Sequence, residues 1–184
     1  GGKTTLLNII GTLEEYDEGE LICFSEHNPI RNRKESELLR RYKIAYLFQN
    51  FALVDNMTVQ ENLNLAVKYS RSTDKKSIIK KALMDMGIED KLKSKIFELS
   101  GGEQQRVALA RNMVKPYEIM LADEPTGSLD SENKKIVIDT LVKLNKLGKT
   151  IIVVSHDKEF EKIAHKNYII ENGTLKQLEF AVEK

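Results

Sequence analysis

Two short strings constrain this chain more than anything else in it: Leu99-Ser100-Gly101-Gly102-Glu103-Gln104-Gln105-Arg106 and, downstream, Ile119-Met120-Leu121-Ala122-Asp123-Glu124-Pro125. The first reads as the start of a helix. Ser100 and Glu103 make an S-x-x-E capping box, which accounts for those two residues but not for two consecutive glycines, since glycine weakens a helix start. Close approach of a phosphate to bare main-chain amides does account for them. The second string is an apolar strand that ends on two carboxylates, at the strand terminus where open α/β sheets place their ligands. Asp123 there suits a divalent cation held through water, and Glu124 suits a general base that polarises attacking water.

The opening residues, Gly2-Lys3-Thr4-Thr5, match the end of the phosphate-binding pattern G-x-x-x-x-G-K-[ST]. A nucleoside triphosphate carries about four negative charges, and amides at a helix start are the simplest answer to them. Gly2 lets the main chain come close, Lys3 reaches the β- and γ-phosphates, Thr4 offers a hydroxyl to Mg²⁺ and Thr5 touches the α-phosphate. The first glycine of the pattern and its apolar strand do not precede these residues, and the chain begins on Gly rather than Met. The expectation is a fragment that starts inside its own phosphate-binding loop.

Local patterns predict the elements around these motifs. A helix is expected over about Thr4 to Ile10 with Gly11 as its stop, a strand over Gly19 to Phe24, a helix over Lys34 to Arg41, and a strand over Lys43 to Phe48 that delivers Gln49 into a loop. Residues 51–116 change character and read as helical and Lys-rich. Thr58-Val59-Gln60-Glu61 opens a helix with a capping box, and Ile78, Ile79, Ala82, Leu83 and Met86 form a stripe that Gly87 ends. After Pro116 the pattern becomes strand, helix, strand: Ile119 to Ala122, then Val137, Leu141 and Leu144 on one helix face, then Thr150 to Val154. Continuous apolar strands alternating with amphipathic helices indicate a parallel sheet covered on both faces. The expected organisation of residues 1–184 is one domain, with an α/β core over 1–50 and 117–184 and a helical subdomain over 51–116.

Composition excludes several classes. The 184 residues suit one domain, and a net charge of +1 gives no global field to draw nucleic acid. The single cysteine, Cys23, rules out an intrachain disulfide framework, and no apolar stretch approaches the roughly 20 residues that span a bilayer. The lysines at 75, 76, 80, 81, 91, 93 and 95 read as a solvated helix face, and His27 and His165 as surface residues.

At this spacing and in this order, the two strings resemble the signature motif and Walker B of an ATP-binding cassette (ABC) ATPase, and Gly2-Lys3-Thr4-Thr5 the end of its Walker A. The resemblance covers essentially the whole chain. It implies a P-loop NTPase of ABC type: a mainly parallel sheet flanked by helices with an α-helical subdomain, here with the N-terminal antiparallel β segment, its adenine-stacking aromatic and the Walker A strand largely missing. It implies ATP and Mg²⁺ as cofactors. Ser100, Gly101, Gly102 and Gln104 would meet the γ-phosphate held by a second copy, so that ATP joins two subunits head to tail. Gln49 resembles the Q-loop glutamine, a ligand near Mg²⁺ and the attacking water, in a loop that in transporters also senses the membrane partner. His156, at the end of Ile151-Ile152-Val153-Val154-Ser155, resembles the H-loop histidine that contacts the γ-phosphate. Ser128-Leu129-Asp130 resembles the D-loop, with Asp130 also suited to cap the next helix.

Tyr46-Leu47-Phe48-Gln49-Asn50-Phe51, Thr58 to Leu63 and Leu121 to Asp130 are similar to a narrower group: small ATPase subunits of bacterial exporters for antimicrobial peptides, macrolides and lipoproteins, most of all bacteriocin exporters of the lactococcin 972 type. The implied partners are transmembrane permease subunits and a second ATPase subunit, at the cytoplasmic face of the bacterial plasma membrane. Two other readings are a soluble ABC ATPase acting on DNA or ribosomes and a fragment inactive alone. The former typically carries a coiled-coil insertion or a second cassette, and neither is visible.

Overall fold

The computed structural model describes residues 2–179. Its centre is a three-stranded parallel sheet in the order β3-β4-β5, formed by Ile44–Leu47, Ile119–Asp123 and Thr150–Val154. The register sets Ile44 against Ile119 and Asp123 against Val154, so β4 ends one residue beyond β3 and presents its carboxylate at the sheet rim.

Alternation along these strands sorts their side chains onto two faces. Ala45, Leu47, Met120, Ala122, Ile151 and Val153 pack into one hydrophobic cluster; Ile44, Tyr46, Leu121, Ile152 and Val154 pack into another. The first face is covered by α5 (Gly101–Met113) and α6 (Ser131–Lys146), and the second by α1 (Lys3–Ile10) and α2 (Arg33–Tyr42). A sheet covered on both sides needs strands that are apolar at every position, which is what the continuous runs in the sequence indicated.

The helices of residues 51–116 are α3 (Val59–Val67), α4 (Lys75–Asp85) and α5, packed on one another around Leu63, Val67, Ile79, Leu83 and Leu109. The capping box at Thr58 is made as its pattern requires: Thr58 Oγ1 accepts from the Glu61 amide at 3.1 Å and Glu61 Oε2 from the Thr58 amide at 2.7 Å. The exposed lysines of α4 lie opposite its buried Ile79, Ala82 and Leu83.

Two expectations change. The strand expected over Gly19 to Phe24 shrinks to β1 (Ile22–Cys23), paired with β2 (Glu26–His27), because Phe24 and Ser25 turn the chain with left-handed φ of 50° and 69°. After α7 (Lys158–Ile163) the chain adds an antiparallel hairpin that the local patterns left unread, β6 (Asn167–Glu171) and β7 (Thr174–Leu178). The turn between them is Asn172-Gly173, both with positive φ (49° and 76°), the conformation a two-residue hairpin needs. No helix among the described residues is long and apolar enough to cross a membrane.

Candidate active site

Helix α1 begins where the phosphate pattern ends. Gly2 stands at its N-cap with φ 87°, a left-handed conformation that suits glycine, and no side chain caps the helix. Its first amides are therefore left for an outside acceptor. Thr4 on the first turn points at the sheet rim: its Oγ1 donates to Asp123 Oδ1 at 3.3 Å. Asp123 is 7% exposed, yet the hydroxyl and carboxylate together form a pair of hard oxygen ligands of the kind Mg²⁺ takes alongside phosphates and water. Two protein oxygens of this kind fit an ion that keeps its other positions for phosphate and water.

The neighbouring Glu124 is held in a conformation few residues adopt. Its φ is 46°, in the left-handed region, and its amide donates to the Val154 carbonyl at 2.8 Å. That bond to β5 turns the carboxylate toward the loop after β5. There the Ser155 hydroxyl donates to Glu124 Oε2 at 3.4 Å, the His156 amide donates to the same oxygen at 3.3 Å, and His156 Nε2 lies 3.4 Å from Oε1. The His156 ring is 81% exposed, free to meet a ligand. These neighbours hold the left-handed backbone in place and fix where the carboxylate stands.

Gln49 follows β3 and is exposed, with its amide nitrogen 4.0 Å from the point where a side chain on Gly127 would begin. Behind it, the Tyr46 hydroxyl donates to Asn8 Oδ1 at 2.6 Å and ties β3 to α1. Burial, with Asp123 and Glu14 nearby, pushes that phenol up to about 12. Thus Lys3, Thr4, Gln49, Asp123, Glu124 and His156 converge on one end of the sheet from α1 and the ends of β3, β4 and β5, with Thr5 on the same first helical turn.

A family model described as ABC transporter matches residues 1–127. The chain is 38% identical to the lipoprotein-releasing system ATP-binding protein LolD of Aquifex aeolicus over 175 residues, 94% of this chain and 78% of LolD.

The chain belongs to the ABC transporter family.

It is also 41% identical to the macrolide export ATP-binding/permease protein MacB of Campylobacter jejuni over 177 residues, 95% of this chain. The chain spans only 28% of MacB's length. The structure superposes on the ATP-binding cassette MJ0796, bound to ADP and Pi in a dimeric post-hydrolysis state, with a TM-score of 0.86 at 33% identity, covering 98% of this chain and 82% of that one. The α/β cassette fold expected from the motifs is therefore the fold of this ABC domain.

The signature residues of this cassette lie at the exposed start of α5. Ser100 Oγ accepts from the Glu103 amide at 3.3 Å, Glu103 Oε2 accepts from the Ser100 amide at 2.8 Å, and that second bond chiefly holds the Glu103 carboxyl below its usual range. The two glycines separate in role. Gly101 has open space around it, whereas a side chain on Gly102 would begin 2.3 Å from Asn133 Cγ of α6. Gln104, expected beside nucleotide, donates in this chain to the carbonyls of Leu99 at 3.1 Å and Ile96 at 3.3 Å and fastens the preceding loop. Asp130 caps α6, with Oδ1 accepting from the Asn133 amide at 2.8 Å, a bond that lowers its pKa.

Several supporting residues escaped the sequence reading. Buried Gln105 donates to the Pro125 carbonyl and so joins α5 to the Walker B turn. Asp157 accepts from Thr126 Oγ1 at 3.2 Å and pairs with Lys134 Nζ at 2.8 Å, bracing the loops after β4 and β5 against α6. The Asp157-Lys158 start of α7 carried a visible cap signal; the Gln105 contact, to a main-chain oxygen, left none.

Proposed function

We propose that this chain is the ATP-binding and ATP-hydrolysing subunit of a bacterial exporter. Two copies would close head to tail on ATP at the cytoplasmic face of the plasma membrane, and separate permease subunits would turn that cycle into export. The observation that carries the reading is the convergence of Thr4, Asp123 and the left-handed Glu124 at one rim of the sheet. The kinship with LolD and MacB, whose names assign them to lipoprotein release and macrolide export, supports an exporter over an ATPase acting on DNA or ribosomes. Within that group, the residues Tyr46 to Phe51 and Leu121 to Asp130 favour a bacteriocin exporter of the lactococcin 972 type.

Lys3 and the free amides of α1 would bind the phosphates, and Thr4 with Asp123 would hold Mg²⁺, with Gln49 beside them. The metal would supply charge neutralisation on the phosphates. Glu124 would take the proton of the attacking water at its carboxylate, oriented for that task by Ser155 and the His156 amide. His156 and Asp130, with Ser100 and Gly101 of the second copy, would enclose the γ-phosphate.

The test is phosphate release and ATP binding by wild type and Glu124→Gln. Removing the base should lower the rate by about 10²–10³-fold and leave ATP affinity nearly unchanged. Turnover at the wild-type rate would remove Glu124 from the role, and a folded wild-type protein that neither binds nor hydrolyses Mg-ATP would overturn the reading itself.

A further inference from the structure

Two consecutive residues of α5, Arg111 and Asn112, grip the main chain on both sides of Gln49. Buried Asn112 donates from Nδ2 to the Tyr46 carbonyl at 3.1 Å, inside β3 and ahead of the glutamine. Arg111 donates from Nη2 to the Phe51 carbonyl at 3.1 Å and from Nη1 to the Ala52 carbonyl, just after it. Phe51 and Ala52 both lie in the left-handed region, with φ of 63° and 49°. Two successive non-glycine residues hold that conformation only when their surroundings impose it.

The turn they form is closed by the Phe51 amide on the Phe48 carbonyl (3.0 Å) and the Ala52 amide on the Asn50 carbonyl (2.7 Å). Its far end is fixed as well: Asn62 of α3 accepts from the Val54 amide at 2.8 Å and returns a bond to the Val54 carbonyl at 3.2 Å. Among the described residues Arg111 has no carboxylate partner, so the two loop carbonyls are what meets a partly buried guanidinium. Burial lowers its pKa. A charge held this way tolerates little displacement of the loop.

We infer that Arg111 is a positioning residue for Gln49: by locking the turn after the glutamine to the signature helix, it sets where the glutamine amide stands over the Glu124–Gly127 turn. The inference rests on the reading that Gln49 serves ATP hydrolysis. It makes α5 a single lever, with the signature residues at one end and the grip on the Gln49 loop at the other.

The experiment is a double-mutant cycle on the full chain, with Mg-ATP as substrate. Arg111→Met should lower kcat by about tenfold, as a misplaced catalytic group does, with KM for ATP within twofold. In a Gln49→Ala background the same change should lower kcat by less than a further twofold. Arg111→Lys, which keeps an N–H donor group without the planar fork that reaches both carbonyls, should recover part of the rate. Multiplying effects of Arg111→Met and Gln49→Ala, or a KM effect without a kcat effect, would overturn the inference.

Hydrogen exchange on the same variants gives a readout that needs no turnover, and so separates a failure of this inference from a failure of the ATPase reading. Arg111→Met should speed exchange at the Phe51 and Ala52 amides and leave Val107–Ala110 of α5 protected. Equal loss of protection along α5 would mean that Arg111 is only a fold strut. Should Arg111→Met fail to fold, Arg111→Lys carries the same cycle and the same exchange comparison.

Discussion

Gly101 and Gly102 are neighbours in sequence but answer to different forces. A β-carbon on Gly101 would meet nothing within 4 Å, whereas one on Gly102 would begin 2.3–2.4 Å from three atoms of the Asn133 amide group. Gly101→Ala should therefore leave the fold intact and raise its stability by up to about 0.5–1 kcal/mol, the usual gain of alanine over glycine in a helix. It should nevertheless slow ATP hydrolysis if, as proposed, this surface meets the nucleotide of a second copy. Gly102→Ala must push aside the half-exposed Asn133 side chain and its bonds to Asp130, so it should cost no more than about 1 kcal/mol, and Asn133→Ala in the same chain should remove the clash. Melting temperatures and phosphate release on the three variants separate the two roles. A Gly101→Ala protein with wild-type turnover would remove Gly101 from the ATP-dependent contact.

At the scale of elements, α5 does more than bury an apolar stripe. It starts at the Ser100 box, packs Val107 to Ala110 in the core, binds β3 through Asn112, and is followed by Lys115, whose Nζ donates to the carbonyls of Arg40 at 2.6 Å and Ile44 at 2.8 Å. Burial, aided by the Arg111 charge, brings the Lys115 pKa down to about 8 from 10.5. Between those values the unfolded chain binds more protons at this lysine than the folded one, so stability should rise with pH across that window. The buried phenols Tyr46 and Tyr117, raised to about 12, work the other way above 10, where the unfolded tyrosines ionise first. The buried Cys23 thiol, which burial raises above 9.0, also works the other way once the unfolded thiol ionises. The clean interval is thus about pH 8 to 9, and Lys115→Met should flatten the rise in melting temperature there. A wild-type curve no steeper than that of Lys115→Met would show that the lysine is not held in this way. The caps at Thr58 and Ser100 and the strands ending at Asp123 and Val154 were legible because each is a local pattern. The Asn172-Gly173 hairpin carried an equally local signal between Ile170 and Leu175 and could have been read. The Arg111, Lys115 and Gln105 contacts could not: each ends on a main-chain carbonyl distant in sequence, and any residue type supplies one.

For the whole molecule, the proposed site is divided over a surface that one chain does not close on itself. The Lys3–Thr5 turn of α1 and the Asp123–Glu124 segment stand together at one end of the sheet, while Ser100 and Gly101 open outward from α5 with no hydrogen bond or ion pair to that rim among the described residues. If two copies complete each other, the phosphate side of one must meet the signature side of the other, and a two-fold pair then contains two composite sites. That arithmetic can be tested without a structure of the dimer. Lys3→Ala damages only the phosphate side and Ser100→Arg only the signature side, so homodimers of either contain no intact site. A mixed dimer contains one, built from the Lys3 side of the Ser100→Arg chain and the signature side of the Lys3→Ala chain. Equal mixing makes about half of the dimers mixed, each with one site of two, so phosphate release should recover to roughly a quarter of wild type. The recovery should grow with protein concentration, because it depends on association. Two separately inactive variants that stay inactive on mixing, while each still folds, would mean either that both sides serve one chain or that the two sites must fire together; the single double-defective chain Lys3→Ala/Ser100→Arg mixed with wild type separates these. Its mixed dimers hold two half-damaged sites and no intact one, so it should suppress wild-type turnover if the sites are shared and leave it untouched if each chain works alone.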